Sequence, residues 1–421
     1  MRTMRLFIAC WLFLFILGQA WAGVLTKAEL VRRFPAPLVV GDKEVDVPVW
    51  PLFKQNATAT ELVGYVFESV DLAPIPGFSG VPVNLLIAIN PQGSFLEVAV
   101  LSHHEPVFLD GLGEAPLFQF VQQYKNLSLK QNIAIGARTK RAADTTHADI
   151  DGVSKATASV RIINQSVLAS ALKVSRKKLG FAQGRDPDQL ARIRMAVVEK
   201  LSVTQMLEQG LIQHVRLSNK EVEALFAGSP GAGLDAEGAR DPEGIFIDLY
   251  LAYVSVPSVG RNLLTERSWN KLRNRLDEGD HAMLVLSRGR YSVLGDDFVR
   301  GTVPDRLLLK QDGLPIDMRD LDLELNLADT ASLPTENIVV LRIISQAGLD
   351  AASPLAFSLP ITRSKGIVYP ERITRNVDLS YRLPARFHTT PQGSDASWRG
   401  TWTGRKVELL SLLAGLALLA G

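Results

Sequence analysis

The sequence predicts an α+β protein with two domains, because three kinds of regular pattern follow one another along it. Two apolar runs, 83–89 and 95–101, flank Asn-Pro-Gln-Gly, which is typical of antiparallel strands joined by a turn. Apolar residues then recur at helical spacing across 160–174. From residue 245 onward the apolar runs are mostly short and strand-like. A chain of 421 residues has room for two domains of ordinary size plus targeting segments.

The first region, residues 23–180, is predicted to end in a long helix, with a shorter helix candidate at 117–124. The long helix has one apolar stripe, which is expected to face the core. The stripe consists of Val160, Ile163, Val167, Ala171 and Val174. Three cations in the last turn suit the negative end of the helix dipole, and a glycine follows as a C-terminal cap. These residues are Arg176, Lys177, Lys178 and Gly180.

The second region, residues 187–395, is predicted to open with a helical stretch and to continue as a β-rich domain. The helical stretch covers 186–226, and a loop rich in glycine and proline follows at 228–244. A helix over 265–277 interrupts the strands. The strand candidates are 245–256, 282–287, 291–294, 306–309 and 338–344.

Both ends of the chain are predicted to direct it to a membrane. Residues 1–22 resemble a cleavable secretory signal, with Arg2 and Arg5, an apolar run, and small residues at Ala20 and Ala22. The alternative, a permanent N-terminal anchor, needs a longer apolar run. Residues 407–421 are predicted to be the start of a transmembrane helix. Together these segments place the main domains in the periplasm, attached to the inner membrane.

The composition excludes several classes of protein. Hydrophobic residues are 47% of the chain and charged residues 21%, which is typical of a globular protein. The formal net charge is only +2, so we expect no nucleic-acid partner. The single cysteine, Cys10, lies inside the predicted signal. The exported chain is therefore predicted to lack disulfides, thiolate zinc sites and cysteine-bound iron–sulfur clusters.

The candidate functional site is the segment that leads into the long helix, Asp151-Gly152-Val153-Ser154-Lys155-Ala156-Thr157-Ala158-Ser159. The first N–H groups of a helix lack intrahelical partners and its dipole adds positive charge, so a helix start suits a phosphate. The hydroxyl of Thr157 is placed to carry a phosphoester there. Asp151 either caps the turn or helps hold a metal–nucleotide complex during attachment. The alternative is that Asp151 and Ser154 are ordinary N-cap residues, each contributing about 1 kcal/mol.

This segment resembles the flavinylation motif of FMN-binding domains in the sodium-pumping quinone reductase and Rnf complexes and in the NosR/NirI family. The motif is Asp-x-x-Ser/Thr-Gly-Ala-Thr-x-Ser/Thr. The matching residues are Asp151, Ser154, Ala156, Thr157 and Ser159. The resemblance implies an FMN-binding fold, with FMN attached covalently through its phosphate to Thr157 by a separate flavin transferase. Lys155 departs from the motif, which has glycine there; it adds a cation near the phosphate and also bulk.

Segments outside the motif narrow the resemblance to the NosR/NirI family. Stretches 76–86 and 101–106 resemble its flavin domain, and 246–264, 279–291 and 298–301 resemble the domain that follows. By this resemblance the protein supports nitrous oxide reductase in expression, maturation and electron supply, or has a parallel role beside nitrite reductase. One alternative is a non-redox sensor or assembly factor that binds a partner through its second domain. Another is a flavin subunit of an ion-pumping electron-transport complex.

Three further groups of residues have both a functional and a structural interpretation. His103, His104 and Glu105 are metal-ligand types, but adjacent histidines on a strand point to opposite faces, so we expect no metal. By the resemblance, His104 and Glu105 lie in a loop that lines the flavin. Gly77 and Gly80 serve either a turn or the cofactor. Five arginines mark either a docking surface or ordinary surface ion pairs. They are Arg261, Arg288, Arg290, Arg300 and Arg306.

Overall fold

The computed structural model describes residues 23–56, 59–135, 147–181, 189–295, 298–328, 333–334, 336–366 and 371–389. The predicted signal at 1–22 and the predicted membrane segment at 407–421 lie outside these ranges. Within them, every helix is too short or too polar to span a bilayer.

A five-stranded antiparallel sheet, with its strands in chain order, forms the base of the first region. The strands are β1 (Leu38–Val40), β2 (Val49–Gln55), β3 (Thr60–Glu68), β4 (Asn84–Ile89) and β5 (Phe95–Ser102). The predicted hairpin is confirmed, since β4 and β5 pair antiparallel. Gly93 in its turn has φ +82°, a conformation that glycine adopts without steric cost.

Helices cover both faces of this sheet, which explains why β4 is apolar at nearly every position. They are α1 (Lys27–Arg33), α2 (Ser69–Leu72), α3 (Ala115–Gln122) and α4 (Thr157–Lys178). Leu86 and Ala88 of β4 pack into a cluster with Leu30 of α1, and the alternate residues of β4 pack into the larger cluster that contains α3 and α4. Neighbouring side chains of a strand point to opposite faces, so a strand covered twice needs a continuous apolar run.

The short predicted helix is confirmed by α3 and the long one by α4. The parallel pair β6 (Asn132–Ile135) and β7 (His147–Ile150) leads into α4. All five residues of the predicted apolar stripe of α4 are fully buried. Gly180 follows the end of the helix at φ +73°, as expected of a C-terminal cap.

The predicted helical stretch over 186–226 is wrong. This part of the chain forms β8 (Arg192–Ile193), α5 (Val203–Glu208), β9 (Ile212–Ser218) and α6 (Asn219–Leu225). Gly210, at φ +70°, follows α5, and apolar and polar residues then alternate along β9, a pattern that favours a strand. Capping boxes at Ser202 and Ser218 begin the two helices.

The remaining helices and strands of the second region are α7 (Ala236–Arg240), β10 (Ile245–Ala252), α8 (Pro257–Leu263), α9 (Glu266–Arg275), β11 (His281–Arg288), β12 (Leu308–Gln311), β13 (Leu314–Ile316), β14 (Arg319–Asp320), β15 (Asn337–Ile343), β16 (Leu355–Lys365), β17 (Glu371–Tyr381) and β18 (His388–Thr389). Two antiparallel sheets, with orders β14-β15-β11-β10-β9 and β13-β12-β16-β17, pack around one core, and β18 pairs with β8.

Most of the predicted elements of this region are confirmed. Strands occupy most of 245–256 and of 338–344, and all of 282–287, and a helix occupies most of 265–277. The candidate at 306–309 overlaps β12 by two residues. The strand predicted at 291–294 is wrong, because this stretch is a turn that lies between β11 and β12.

The two regions contact each other along α4. Arg176 near the end of this helix donates hydrogen bonds to the carbonyl oxygens of Ala347 and Gly348, at 2.7 and 3.0 Å. Leu314 of β13 belongs to the core cluster of the first region. Thirteen of the 22 residues of α4 are buried, more than one apolar stripe supplies, because the helix is covered from more than one side. The second region therefore fixes the position of the helix that carries the candidate site.

Candidate functional site

The start of α4 has no side-chain cap. Its N-cap residue is Ala156, which has no side chain able to accept a hydrogen bond. The interpretation of Asp151 and Ser154 as N-caps is therefore wrong. Within the described ranges the N–H groups of Thr157, Ala158 and Ser159 have no hydrogen-bond acceptor. Such a helix end attracts anions through its free donors and its dipole.

Thr157 is the first residue of the helix and its side chain is exposed. Ser154 and Lys155 before it are also exposed, whereas Ala156 and Ser159 are buried. The arrangement holds the backbone in place through Ala156 and Ser159 and leaves the Thr157 hydroxyl open to a partner.

Gln123, at the C-terminal end of α3, hydrogen-bonds to the backbone of the segment that leads into α4. The Gln123 side chain accepts a hydrogen bond from the N–H of Asp151 at 2.7 Å and donates one to its carbonyl oxygen at 3.0 Å. The Asp151 carboxylate itself is exposed. Gln123 could not be found from the motif, because it lies 28 residues away in the sequence.

Lys155 has a left-handed backbone conformation, with φ +67°. Side chains other than glycine adopt it at a cost of about 1–2 kcal/mol, because Cβ comes too close to the following carbonyl oxygen. This explains on physical grounds why glycine suits this position of the motif. The departure at Lys155 concerns backbone conformation as well as the bulk and charge of the side chain.

Replacing Lys155 by glycine is expected to raise the free energy of unfolding by about 0.5–1 kcal/mol. The substitution relieves the steric cost of the left-handed conformation, and the greater freedom of glycine in the unfolded chain offsets part of the gain. Urea denaturation measures the change. Lys155→Ala is the matched control, since it removes the charge but retains Cβ. Equal stability of the two variants would contradict the explanation.

A half-buried arginine lies one turn beyond Thr157. Burial lowers the pKa of Arg161, and no described carboxylate pairs with it. Residues four apart lie on one face of a helix, and helical side chains lean toward the N-terminus, so Arg161 and Thr157 share a face. Burial, and then the charge of Arg161, lowers the pKa of Arg319 on β14. Sequence reasoning missed this cation because it lies outside the motif.

Packing places these two arginines close to each other independently of their charges. Arg319 is the register partner of Arg342 on β15. Ile344, two residues further along, packs on the same small apolar cluster as Ile162, the neighbour of Arg161. The second region therefore brings the positive charge of Arg319 near Arg161 of α4.

His103, His104 and Glu105 lie directly after β5, and the structure separates them. His103 is buried and pairs with Glu114 at 3.0 Å, whereas His104 is exposed. Glu105 is fully buried, and its Oε1 accepts a hydrogen bond from the N–H of Phe78 at 2.8 Å. No group of three potential ligands in the described ranges could hold a metal ion. No described contact links His104 or Glu105 to the 151–159 segment, so their role toward the flavin stays a prediction.

Gly77 and Gly80 are both required by the turn that rests on Glu105. A Cβ on Gly77 would lie 2.1 Å from Glu105 Oε1 and 2.7 Å from the carbonyl oxygen of Val81. Gly80 has φ +83°, which favours glycine. The structure gives these residues a role in the turn.

The arginines of the second region mostly have local partners. Arg288 pairs with Asp248 at 2.9 Å, and Arg290 pairs with Asp235. Arg300 lies 3.8 Å from Asp320. Arg261 and Arg306 lie over the rings of Trp269 and Tyr291. These contacts favour the structural interpretation over a docking surface.

The residues present fit a phosphate-linked group at the start of α4. The observation that tests the fit is the uncapped helix end, which leaves donors for phosphate oxygens beside an exposed hydroxyl. Arg161 supplies a cation on the same face of the helix, and no carboxylate among the described residues pairs with it.

Comparisons with known proteins identify a domain that includes this segment. A family model described as an FMN-binding domain matches residues 77–171, which include the turn at Gly77, the 151–159 segment and most of α4. The chain thus contains an FMN-binding domain, which defines the class of protein.

Curated relatives define the family. The chain is 30% identical to the regulatory protein NosR of Stutzerimonas stutzeri, over 85% of this chain and 51% of the relative. It is 31% identical to the regulatory protein NosR of Pseudomonas aeruginosa, over 93% of this chain and 55% of the relative. It is 26% identical to the protein NirI of Paracoccus denitrificans, over 92% of this chain and 53% of the relative. The chain belongs to the NosR/NirI family of FMN-binding proteins, and it spans about half the length of these relatives.

Proposed function

We propose that this chain is a flavoprotein that carries FMN covalently, through a phosphoester between the FMN phosphate and the hydroxyl of Thr157. The observation that carries the proposal is an exposed threonine at the first position of an uncapped helix. The five motif residues and the matched FMN-binding domain support it.

Each residue of the segment has a defined part in this proposal. Thr157 supplies the ester oxygen, and the N–H groups of the first turn hold the remaining phosphate oxygens. The small buried side chain of Ala156 allows the phosphate to approach the backbone, and buried Ser159 anchors the turn. Ser154 and Lys155 supply a hydroxyl and a cation on the exposed side. Asp151 is exposed, so it is available to the flavin transferase rather than to the helix.

Positive charge from outside the motif adds to this site. We infer that Arg161, which shares a face of α4 with Thr157, helps to balance the charge of the phosphate and that Arg319 adds to the positive charge around Arg161. Hydrogen bonds from a guanidinium to phosphate are among the stronger ones in proteins. FMN, when bound, supplies a centre that accepts one or two electrons, and the protein positions and tunes that centre.

The family supports a role in denitrification. We propose that the protein faces the periplasm from the inner membrane and supports the expression and maturation of nitrous oxide reductase and electron transfer to it. The curated relatives named NosR carry the description "regulatory protein". The similarity to NirI keeps a parallel role beside nitrite reductase as the near alternative. The partners of this proposal are a flavin transferase and nitrous oxide reductase or its maturation system.

Covalent flavin is expected to appear only when a flavin transferase is present. The full chain is produced through a secretory route with and without the transferase, denatured, and separated on a gel under ultraviolet light. Because a phosphoester survives denaturation, the band of the co-expressed protein is expected to fluoresce. Flavin that leaves the protein on denaturation would contradict the covalent proposal, although it would leave FMN binding intact.

A second candidate function is regulation by partner binding without redox chemistry. The word "regulatory" in the description of two relatives favours it. Thr157→Ala separates the two candidates: a redox role requires the flavin, whereas a partner-binding role in the second region survives its loss. Full support of nitrous oxide reductase by the flavin-free variant would favour the second candidate.

A further inference from the structure

Three successive backbone nitrogens at the start of the described chain converge on two carboxylates. The nitrogen of Gly23 donates to Asp71 Oδ1 at 2.8 Å. The nitrogens of Val24 and Leu25 donate to the two carboxylate oxygens of Glu68 at 2.8 and 2.9 Å. These three hydrogen bonds hold residues 23–25 against the two acids.

The two carboxylates carry more negative charge than their described cationic partner neutralises. Glu68 is fully buried, and its other hydrogen bond comes from the side-chain amide of Asn84 at 2.7 Å. Asp71 pairs with Lys43 at 2.7 Å. Within the described ranges, Lys43 is the one cation paired with either acid. A buried carboxylate without a cation is costly, so this site favours a further positive charge.

Asn84 adds a second sign of a missing donor. Its Oδ1 is buried and accepts no hydrogen bond from any described group. Its amide nitrogen is bonded to Glu68, so this acceptor belongs to the same buried group of side chains. Buried acceptors are rarely left without a donor, and an ammonium group brings three donors where a peptide N–H brings one.

The position of Gly23 admits no side chain. A Cβ there would lie 2.4 Å from Glu68 Oε1 and 2.6 Å from Asp71 Oδ2. The backbone of Gly23 therefore lies against both carboxylates. In the sequence Gly23 directly follows Ala22, the last residue of the predicted secretory signal.

We propose that the chain is cleaved between Ala22 and Gly23, and that Glu68, Asp71 and Asn84 form a site for the new α-ammonium group of Gly23. A signal-type endopeptidase uses one water molecule to break this peptide bond. The Ala22 carbonyl carbon gains the oxygen and becomes a carboxylate, and the Gly23 nitrogen is released as an amine that is protonated at neutral pH. The ammonium then supplies the cation that the buried acids lack.

The first test identifies the new terminus. The full chain is exported in a bacterial host, purified from the membrane and envelope fractions, and its first residue determined by Edman degradation. The expected first residue is Gly23. Any other terminus, or an uncleaved chain, would overturn the proposal, and this result does not depend on the flavin.

A second test asks whether the ammonium matters to the fold. The stability of the exported chain that begins at Gly23 is compared with the stability of a chain that begins at Ala22. Each of the two chains is prepared with Asp71 and with the Asp71→Asn substitution. Retaining Ala22 moves the charge away from the site, so the folding equilibrium constant is expected to fall about tenfold with Asp71. With Asp71→Asn the same extension is expected to have a much smaller effect.

Asp42→Asn is the matched control, because Asp42 is an exposed acid that pairs with Lys27. It is expected to leave the effect of the extra residue unchanged. If the chains that begin at Gly23 and at Ala22 were equally stable with Asp71 present, the acids would bind a peptide N–H as well as they bind an ammonium group. This result would overturn the proposed site.

Discussion

Replacing Thr157 by alanine is expected to abolish covalent attachment of FMN and to leave the fold intact. The proposed ester oxygen is the threonine hydroxyl, and alanine offers no atom to replace it. The side chain is exposed and makes no described hydrogen bond, so the free energy of unfolding is expected to change by less than about 0.5 kcal/mol. Fluorescence of the denatured gel band and the mass of the intact protein measure the attachment.

Two variants control this experiment. Thr157→Ser retains a hydroxyl at the same position and is expected to keep attachment, with a rate that depends on the transferase. Ser154→Ala removes the other exposed hydroxyl of the turn and is expected to keep the flavin on Thr157. Loss of the flavin in Ser154→Ala combined with its persistence in Thr157→Ala would move the ester to Ser154.

Local patterns predicted the parts of this protein whose determinants lie close together in sequence. The apolar stripe of α4 and the hairpin of β4 and β5 depend on spacing within a dozen or so residues, and both are confirmed. The segment 151–159 was identifiable for the same reason. Its amino-acid order alone favours an ordinary helix cap over a phosphate site, and the absence of a side-chain cap is visible only in the structure.

Determinants that lie far apart in sequence could not be predicted. The hydrogen bonds between Gln123 and Asp151 and the placement of Arg161 beside Arg319 depend on how distant elements pack. The stretch 186–226 was misassigned because its many long polar and apolar residues favour a helix in isolation. Packing of β9 against β10 determines a strand there instead.

The cations at the end of α4 show how packing changes the meaning of a local pattern. The sequence pattern assigns Arg176 and its two neighbours to the negative end of the helix dipole. The structure buries Arg176 and directs its guanidinium to two carbonyl oxygens of the second region. This residue therefore connects the two regions through the helix that carries the candidate site.

Arg176→Met is accordingly expected to lower the free energy of unfolding by about 2–4 kcal/mol, the second-largest effect we predict. Methionine fills similar space, but the carbonyl groups of Ala347 and Gly348 lose a charged donor, and hydrogen bonds to charged groups contribute about 1.5–3 kcal/mol each. Urea denaturation followed by tryptophan fluorescence measures the loss. A split into two transitions would show that the bonds couple the unfolding of the two regions.

Lys177→Met distinguishes this contact from the dipole. Lys177 lies in the same last turn and is only partly buried, so it has the same helix-dipole interaction without the buried position. Its replacement is expected to cost less than about 1 kcal/mol, which is the range of dipole and surface-charge effects. If the two variants lost equal stability, the dipole would account for both and the carbonyl contacts would contribute little. A loss confined to Arg176→Met would establish that contacts with both regions hold α4 in place. Covalent attachment of FMN to Thr157 would then be measured in Arg176→Met, in which the C-terminal end of α4 has lost its hydrogen bonds to the second region.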